Sequence, residues 1–546
     1  MGKSLFIKGN IVDLFENRMY PAEIEVDKSH ILSISPIEES LSNYIVPGFV
    51  DSHVHIESSM LTPSRFAEAA VRHGTVATVS DPHEIANVLG VKGVDAMIKN
   101  GFSVPLKFFF GAPSCVPATN FETSGHAISS IQIEELLKRN DIYYLAEVMN
   151  YVGVISGDGE VFSKIAAARA AGKKIDGHAP GLRGEDLSKY INAGITTDHE
   201  CVDLNEAEEK IKKGMVVQIR EGSAAKNFDS LLILIDKYPD RVMLCTDDSH
   251  PDDLVSGHIN KIVANGLSKG VNLYNLLRAA SVNPVTHYNI DVGLLREGDP
   301  ADFIVTNDLE TFMPESVYIN GDKVMSNKRV WFTPSDLYVS QDFRSSLVKP
   351  EDFRVKTGSG KMKVIGAKDK ELFTEIIHKT PKLDGNLVVP DPQNDICKIA
   401  VINKYEAKSP SAAFVSGFGL KIGAIGGSIA HDSHNIIVIG TDDENMAKIA
   451  NEIIKSQGGI AATTDSETKF LQLEIGGLMT NASASVVAEK YLDITKFVQQ
   501  KMGSPLNAPF MTLSFMALLV IPEIKIGDKG LFNVNEFKFT GLFEQK

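Results

Sequence analysis

Cysteine is scarce in this chain of 546 residues. Its four cysteines, Cys115, Cys201, Cys245 and Cys397, lie far apart in apolar, strand-like surroundings and form no CxxC pair. A disulfide-stapled scaffold is excluded, and a reducing compartment is expected. Positive charge is also short: 55 Lys and Arg face 70 Asp and Glu, for a net charge of -15. Such a surface repels phosphate backbones, so nucleic acid is not an expected partner, while small neutral or cationic substrates stay open. Long apolar runs are missing as well. Asp13 and Glu16 interrupt the N-terminus where a signal peptide needs an apolar core, and Phe6 stands where myristoylation asks for Ser or Thr. The most apolar late stretch, 510–521, is too short to cross a bilayer of about 30 Å as a helix. A cytoplasmic protein with no membrane partner is expected. The composition that remains is ordinary for a globular protein, 43% hydrophobic and 23% charged, which excludes disorder and collagen.

Three textures succeed one another along the chain. Residues 5–46 alternate loosely, as half-buried antiparallel strands do, and the same texture returns at 301–332, where Asn320-Gly321 is a hairpin signal. The two flanks, 1–46 and 291–345, are expected to build one small composite β-sandwich domain around an insertion. Within that insertion, 47–290, continuous apolar runs (GFVDSHVH, GTVATVS, LKFFFGA, YYLAEVM, KKIDGHA, GITTDHE, MVVQIRE, VMLCTDD) alternate with helical stretches such as SKIAAARAAG and LSKYINAG, the latter closed by Gly194. Strands without strict alternation, each followed by a helix, predict a parallel sheet buried on both faces. Eight of them in about 250 residues predict an α/β fold of the (β/α)8, TIM-like barrel type. The alternative, a doubly wound open sheet, lacks a GxGxxG after its first strand. Residues 350–546 read as a further α+β domain, with a helix in MAKIANEIIKSQGG closed by Gly458. No internal repeat or low-complexity tract is visible.

The chemistry gathers at strand ends. His53 and His55 in DSHVH are two apart on a strand, so both rings point one way and can reach one metal ion. Glu147 comes after YYLA, His178 after KKIDG, His199 after GITTD and Asp247 after VMLCT. Singly, Glu147 or Asp247 reads equally as a solvated loop carboxylate or a helix cap. Together, six nitrogen and oxygen donors at the C-terminal ends of barrel strands predict a centre for Mn, Fe or Zn. Four imidazoles and two carboxylates are enough for two ions bridged by one carboxylate.

PGFVDSHVHIESS, GHAPG, TDHE, CTDD and GDPADFIV together resemble the amidohydrolase superfamily. More narrowly, DPHEIANVLG at 81–90 and SIAHDSHNIIVIG at 428–440 resemble the bacterial and archaeal adenine deaminase family, and the likeness covers nearly the whole chain. The resemblance implies two ions per active site, manganese or ferrous iron. His53 and His55 would hold one and His178 and His199 the other. Glu147 would serve as the bridge where other members use a carboxylated lysine, and Asp247 would bind metal and face the nucleophile. It implies hydrolysis of adenine to hypoxanthine and ammonia, a small-molecule reaction with water. A homo-oligomer is expected only because large barrel enzymes are often dimers or higher.

That chemistry needs an activated water and two proton carriers. Asp247 is expected to take the proton of the attacking water and pass it to the leaving amine, and Glu84 to protonate N1 of the ring, with Asp81 or His83 orienting it. Glu84 reads equally as a first-turn helix carboxylate. Glu57, Ser58 and Ser59 are expected to line the substrate pocket or, for the serines, to cap a helix. His431 and His434, flanked by apolar residues, suggest a buried polar network or a segment reaching the substrate. Arg220 and 222–225 are further candidates for base contact. Rival readings are a related cyclic-amide hydrolase, a deaminase of another aminated heterocycle, and a silent scaffold that works by assembly, although a scaffold would not keep six metal donors.

Overall fold

The computed structural model describes residues 4–340, 343–369 and 371–544. They form two compact units: Met1–Pro82 with Asp95–Ser114 and Ser129–Asp336, and His83–Val94 with Cys115–Ile128 and Leu337–Lys546. The division does not follow chain order, because two short excursions, 83–94 and 115–128, leave the first half and join the C-terminal unit.

In the first unit the apolar runs are strands, because side chains buried on both faces leave no polar period. Thr75–Ser80 and Val216–Arg220 are buried at every position. Phe49–His55 pairs in parallel with Thr75–Ser80, which continues through Lys107–Ala112 and Tyr144–Val148 to Lys174–Gly177. Thr197–Asp198, Val216–Arg220 and Val242–Cys245 form a second parallel run. The runs join at both ends. Thr196 N donates to Ile175 O at 2.9 Å, and Asp247–Asp248, just past the eighth strand, pairs with Val54 and His55 of the first. The sheet therefore curls onto itself as a TIM-like α/β domain. Helices come after the strands with ordinary start signals: Gly159–Ala170 is capped by Asp158, Leu204–Lys212 by Asp203 and Leu273–Ala280 by Asn272. Gly184–Asn192 stops before Gly194, whose φ of 102° suits glycine alone.

The strands of both flanks form one continuous eight-stranded sheet where a sandwich was expected. Tyr44–Pro47 is the seam. It runs parallel to Leu5–Asp13 on one side and antiparallel to Phe303–Thr306 on the other, so the two flanks meet edge to edge. Ile11, Ile24, Ile45, Phe303 and Tyr318 share its core. Asn320 and Gly321, with φ of 49° and 78°, make the tight hairpin between Ser316–Ile319 and Asp322–Ser326.

The second unit is α+β. Its largest sheet has eight strands, all antiparallel but for the pair Met362–Gly366 and Ser411–Ser416. Asp443–Lys455, capped by Asp442, lays Met446, Ile449, Ala450 and Ile453 on that sheet. The helix ends one residue earlier than Gly458 implies: Gln457 takes the left-handed turn, φ 55°, and Gly458 comes next at 126°. Among the described residues no helix is long and apolar enough to cross a membrane.

Candidate metal centre

Six side chains, from four strand ends and the turn after the eighth strand, converge in the first unit. Strand alternation puts the Nε2 atoms of His53 and His55 3.2 Å apart. Asp247 Oδ1 lies 3.5 Å from the first and 3.1 Å from the second. Glu147 divides its carboxylate. Oε1 is 3.3 Å from His55 Nε2, while Oε2 is 2.7 Å from His178 Nδ1 and 3.3 Å from His199 Nε2. Two donors bound to one ion at about 2.1 Å lie about 3.0 Å apart in octahedral and about 3.4 Å in tetrahedral geometry, and four of these six separations, 3.1, 3.2, 3.3 and 3.3 Å, fall in that range. Glu147 is 2% exposed and His53 is fully buried.

Proton bookkeeping at His55 argues that this group fits a cation. Its Nδ1 lies 3.1 Å from the carbonyl oxygen of Asp81, which can only accept, so Nδ1 carries the hydrogen. Although burial opposes charge there, Asp247 and Glu147 hold the His55 imidazole well above its ordinary range: its Nε2 faces two carboxylate oxygens, and the site calls for a positive charge at that atom, from a proton or from a bound cation. The same demand runs through the cluster. Burial alone would raise Glu147 and Asp247. His178, with the contacts from His199 and His55, holds Glu147 well below the usual carboxylate range, and Arg220 with His53 and His55 does the same for Asp247. Burial opposes charge on His178, but Glu147 and Glu200 push it up to about 9. Imidazoles and carboxylates without thiolate suit first-row divalent ions.

Buried polar groups hold these side chains in place. Asp51, two residues before His53, accepts from Thr246 N at 3.1 Å and from Thr246 Oγ1 at 2.5 Å, and its Oδ2 lies 3.0 Å from His258 Nε2. The first and eighth strands are thus fixed next to His53 and Asp247. Asp247 itself has φ 55°, a left-handed conformation uncommon outside glycine and typical of functional turns. Glu200 escapes a reading based on known donor types, and Arg220, expected as a base contact, holds carboxylates. Arg220, last in the seventh strand, donates Nη1 to Asp247 Oδ2 at 2.5 Å and Nη2 to Glu200 Oε2 at 3.2 Å. Its position at a strand tip is the same signal that singles out Asp247, and Glu200 sits directly after His199.

The remaining expected site residues fall in two groups. Glu57, Ser58 and Ser59 lie in a buried turn, Ile56–Ser59, after the first strand. Ser58 donates to Asp248 and Ser59 to Ile56 O at 2.6 Å, so neither serine caps a helix. Asp81 is buried in the first unit. His83, Glu84, His431 and His434 belong to the second unit. Glu84 stands in the first turn of the helix His83–Leu89, with His431 Nδ1 2.6 Å from Oε1 and His434 Nε2 against Oε2.

Residues 44–324 match the amidohydrolase family, which places the first unit in a class of metal-dependent hydrolases. Residues 371–538 match the adenine deaminase C-terminal domain. The chain is similar to an adenine deaminase of Salinibacter ruber, 49% identical over 545 residues and covering 100% of both chains. It is also similar to one of a Sulfurovum species, 50% identical over 541 residues with 98% of each chain covered. A third relative, the adenine deaminase of Methanosarcina mazei, is 48% identical over 548 residues, with 98% of this chain and 99% of the relative covered. The chain belongs to the adenine deaminase family.

Proposed function

We propose that this chain hydrolyses adenine to hypoxanthine and ammonia at a centre of two divalent ions, manganese or ferrous iron. His53 and His55 would hold one ion and His178 and His199 the other, with Glu147 placed to serve both and Asp247 to complete the set. The observation that carries this reading is the division of Glu147 between the two histidine pairs, in a chain whose full-length relatives are adenine deaminases. Bound ions supply Lewis acidity that brings water within reach of ionisation near neutral pH.

The protein's own groups do the rest. Asp247 Oδ2 is taken by Arg220, so Oδ1 receives the proton of the attacking water and returns it to the amino group as that leaves. Glu84 protonates ring nitrogen N1 as electron density moves onto it. Asp81 and His83, within three residues of Glu84 in the chain, help to bind and orient the base, and Glu57 lines the pocket. The proton shed by the C6 hydroxyl as the carbonyl forms replaces the one given to N1, so the sum is one water consumed and one ammonia released. Incubating the manganese- or iron-loaded protein with adenine, while following ammonia release and the ultraviolet change, tests the reading. Turnover supports it. A metal-loaded protein that leaves adenine untouched but opens a cyclic amide, or does neither, would sink it.

A further inference from the structure

We propose that His431 and His434 are positioning residues of this reaction, which grip the two oxygens of Glu84 and act on catalysis through it alone. The inference rests on the reading that Glu84 protonates the base. Within the second unit each Glu84 oxygen has its own imidazole: His431 Nδ1 at 2.6 Å from Oε1, and His434 Nε2 on Oε2. A carboxylate held at both oxygens by rings on a different segment cannot rotate about its terminal bond, so it presents one orientation. Glu84 is 2% and His434 1% exposed, which makes this a dry clamp.

The segment carrying the histidines is built to hold still. His434 takes the left-handed conformation, φ 52°, and its N–H donates to Ala430 O at 2.7 Å. Tyr405 Oη donates to Ser433 O at 2.6 Å. Asn435 accepts from Lys404 N at 2.9 Å and donates to Thr123 O at 2.9 Å. Phe515 lies 5.4 Å from the His431 ring, centroid to centroid. His434 spends Nε2 on one oxygen of Glu84, and His431 turns Nδ1 to the other. The two rings therefore converge on Glu84.

The arrangement also supplies a proton. Burial alone would raise Glu84, yet His431, His434 and His83 hold it well below the carboxylate range. At neutral pH such a group is a carboxylate and has no proton of its own to give. Coupled to an imidazolium of the cluster, it works as a relay: an imidazolium N–H bond breaks as a Glu84 O–H bond forms, that O–H bond breaks as the N1–H bond forms, and the proton later shed by the C6 hydroxyl returns through Glu84 to the neutral ring.

A double-mutant cycle on the metal-loaded full chain tests this. His434→Gln should cut kcat at least tenfold, leave KM within twofold and leave metal content unchanged. In a Glu84→Gln background the same change should cost less than twofold. A raised KM at unchanged kcat would make His434 a substrate contact, and an equal loss in both backgrounds would make its role independent of Glu84; either overturns the proposal. A Glu84→Gln protein with wild-type kcat would instead remove Glu84 from the chemistry, and the clamp's purpose with it. Should His434→Gln not fold, His431→Gln is read by the same scheme.

Discussion

Arg220 takes one oxygen of Asp247 and leaves the other to His53 and His55. Nη1 donates to Oδ2 at 2.5 Å, while Oδ1 faces the two Nε2 atoms at 3.5 and 3.1 Å. The guanidinium also holds Glu200 and donates Nε to Ala225 O at 2.8 Å, tying the ends of the sixth, seventh and eighth strands together. Lysine cannot reproduce such a fork. Arg220→Lys should lower kcat by roughly a hundredfold. Arg220→Met, which strands two buried carboxylates, should also cost about 3–5 kcal/mol of stability. Steady-state kinetics and chemical denaturation read the two effects separately, and unchanged values in both would refute the clamp.

Glu147→Gln keeps the shape of the bridge but removes its charge. Metal analysis should find less than half of the wild-type content, with activity lost in parallel. Glu84→Gln should keep its metal and lose turnover. A metal-replete, active Glu147→Gln protein would end the bridging role.

Asp51 supports the metal donors from behind, by fixing Thr246 and His258. Supporting carboxylates of this kind are worth about 10–100-fold in metal affinity. Asp51→Asn should therefore weaken metal binding by that factor, measured by competition with a chelator, while KM for adenine at saturating metal stays put. A shift in KM alone would place Asp51 elsewhere in the mechanism.

Lys525 predicts a pH slope. It is fully buried, donates to Leu372 O at 2.5 Å and Phe515 O at 3.0 Å, and burial pushes its amine down to about 7. Between pH 7 and its ordinary value of 10.5 the unfolded chain binds the proton and the folded chain does not, so stability rises with pH across that window. The contribution is about 1.4 kcal/mol per pH unit in mid-window. Denaturation at pH 7.5 and 9.0 should show a shallower rise in Lys525→Met than in the wild type, whatever the variant's absolute stability. Parallel slopes would contradict the assignment.

Much of the first unit is legible in the sequence because its signals are local. Eight apolar runs become eight parallel strands, and the two-residue spacing of His53 and His55 puts both rings on one side without knowledge of the rest. Glu147, His178, His199 and Asp247 each stand at the end of such a run, and the structure gathers them within a few ångströms. Arg220 obeys the same rule, yet a cation at a metal centre is not a donor, and its value lies in the carboxylates it restrains. The partition of 83–94 and 115–128 into the C-terminal unit cannot be read from the sequence at all. Nothing near DPHE in the sequence says that Glu84 meets histidines some 350 residues later. That pairing depends on how the second sheet presents 430–435, and no local period encodes it.

The seam strand has a consequence for how the chain is made. Tyr44–Pro47 finds one neighbour at once in Leu5–Asp13, but its other neighbour, Phe303–Thr306, leaves the ribosome only after the whole barrel has been synthesised. At ordinary elongation rates that delay is on the order of tens of seconds. Throughout it the nascent protein carries a bare backbone edge, a template to which another growing chain can add a strand. Fragments ending before residue 303 would carry that edge permanently, and self-association during translation is the hazard this topology has to survive.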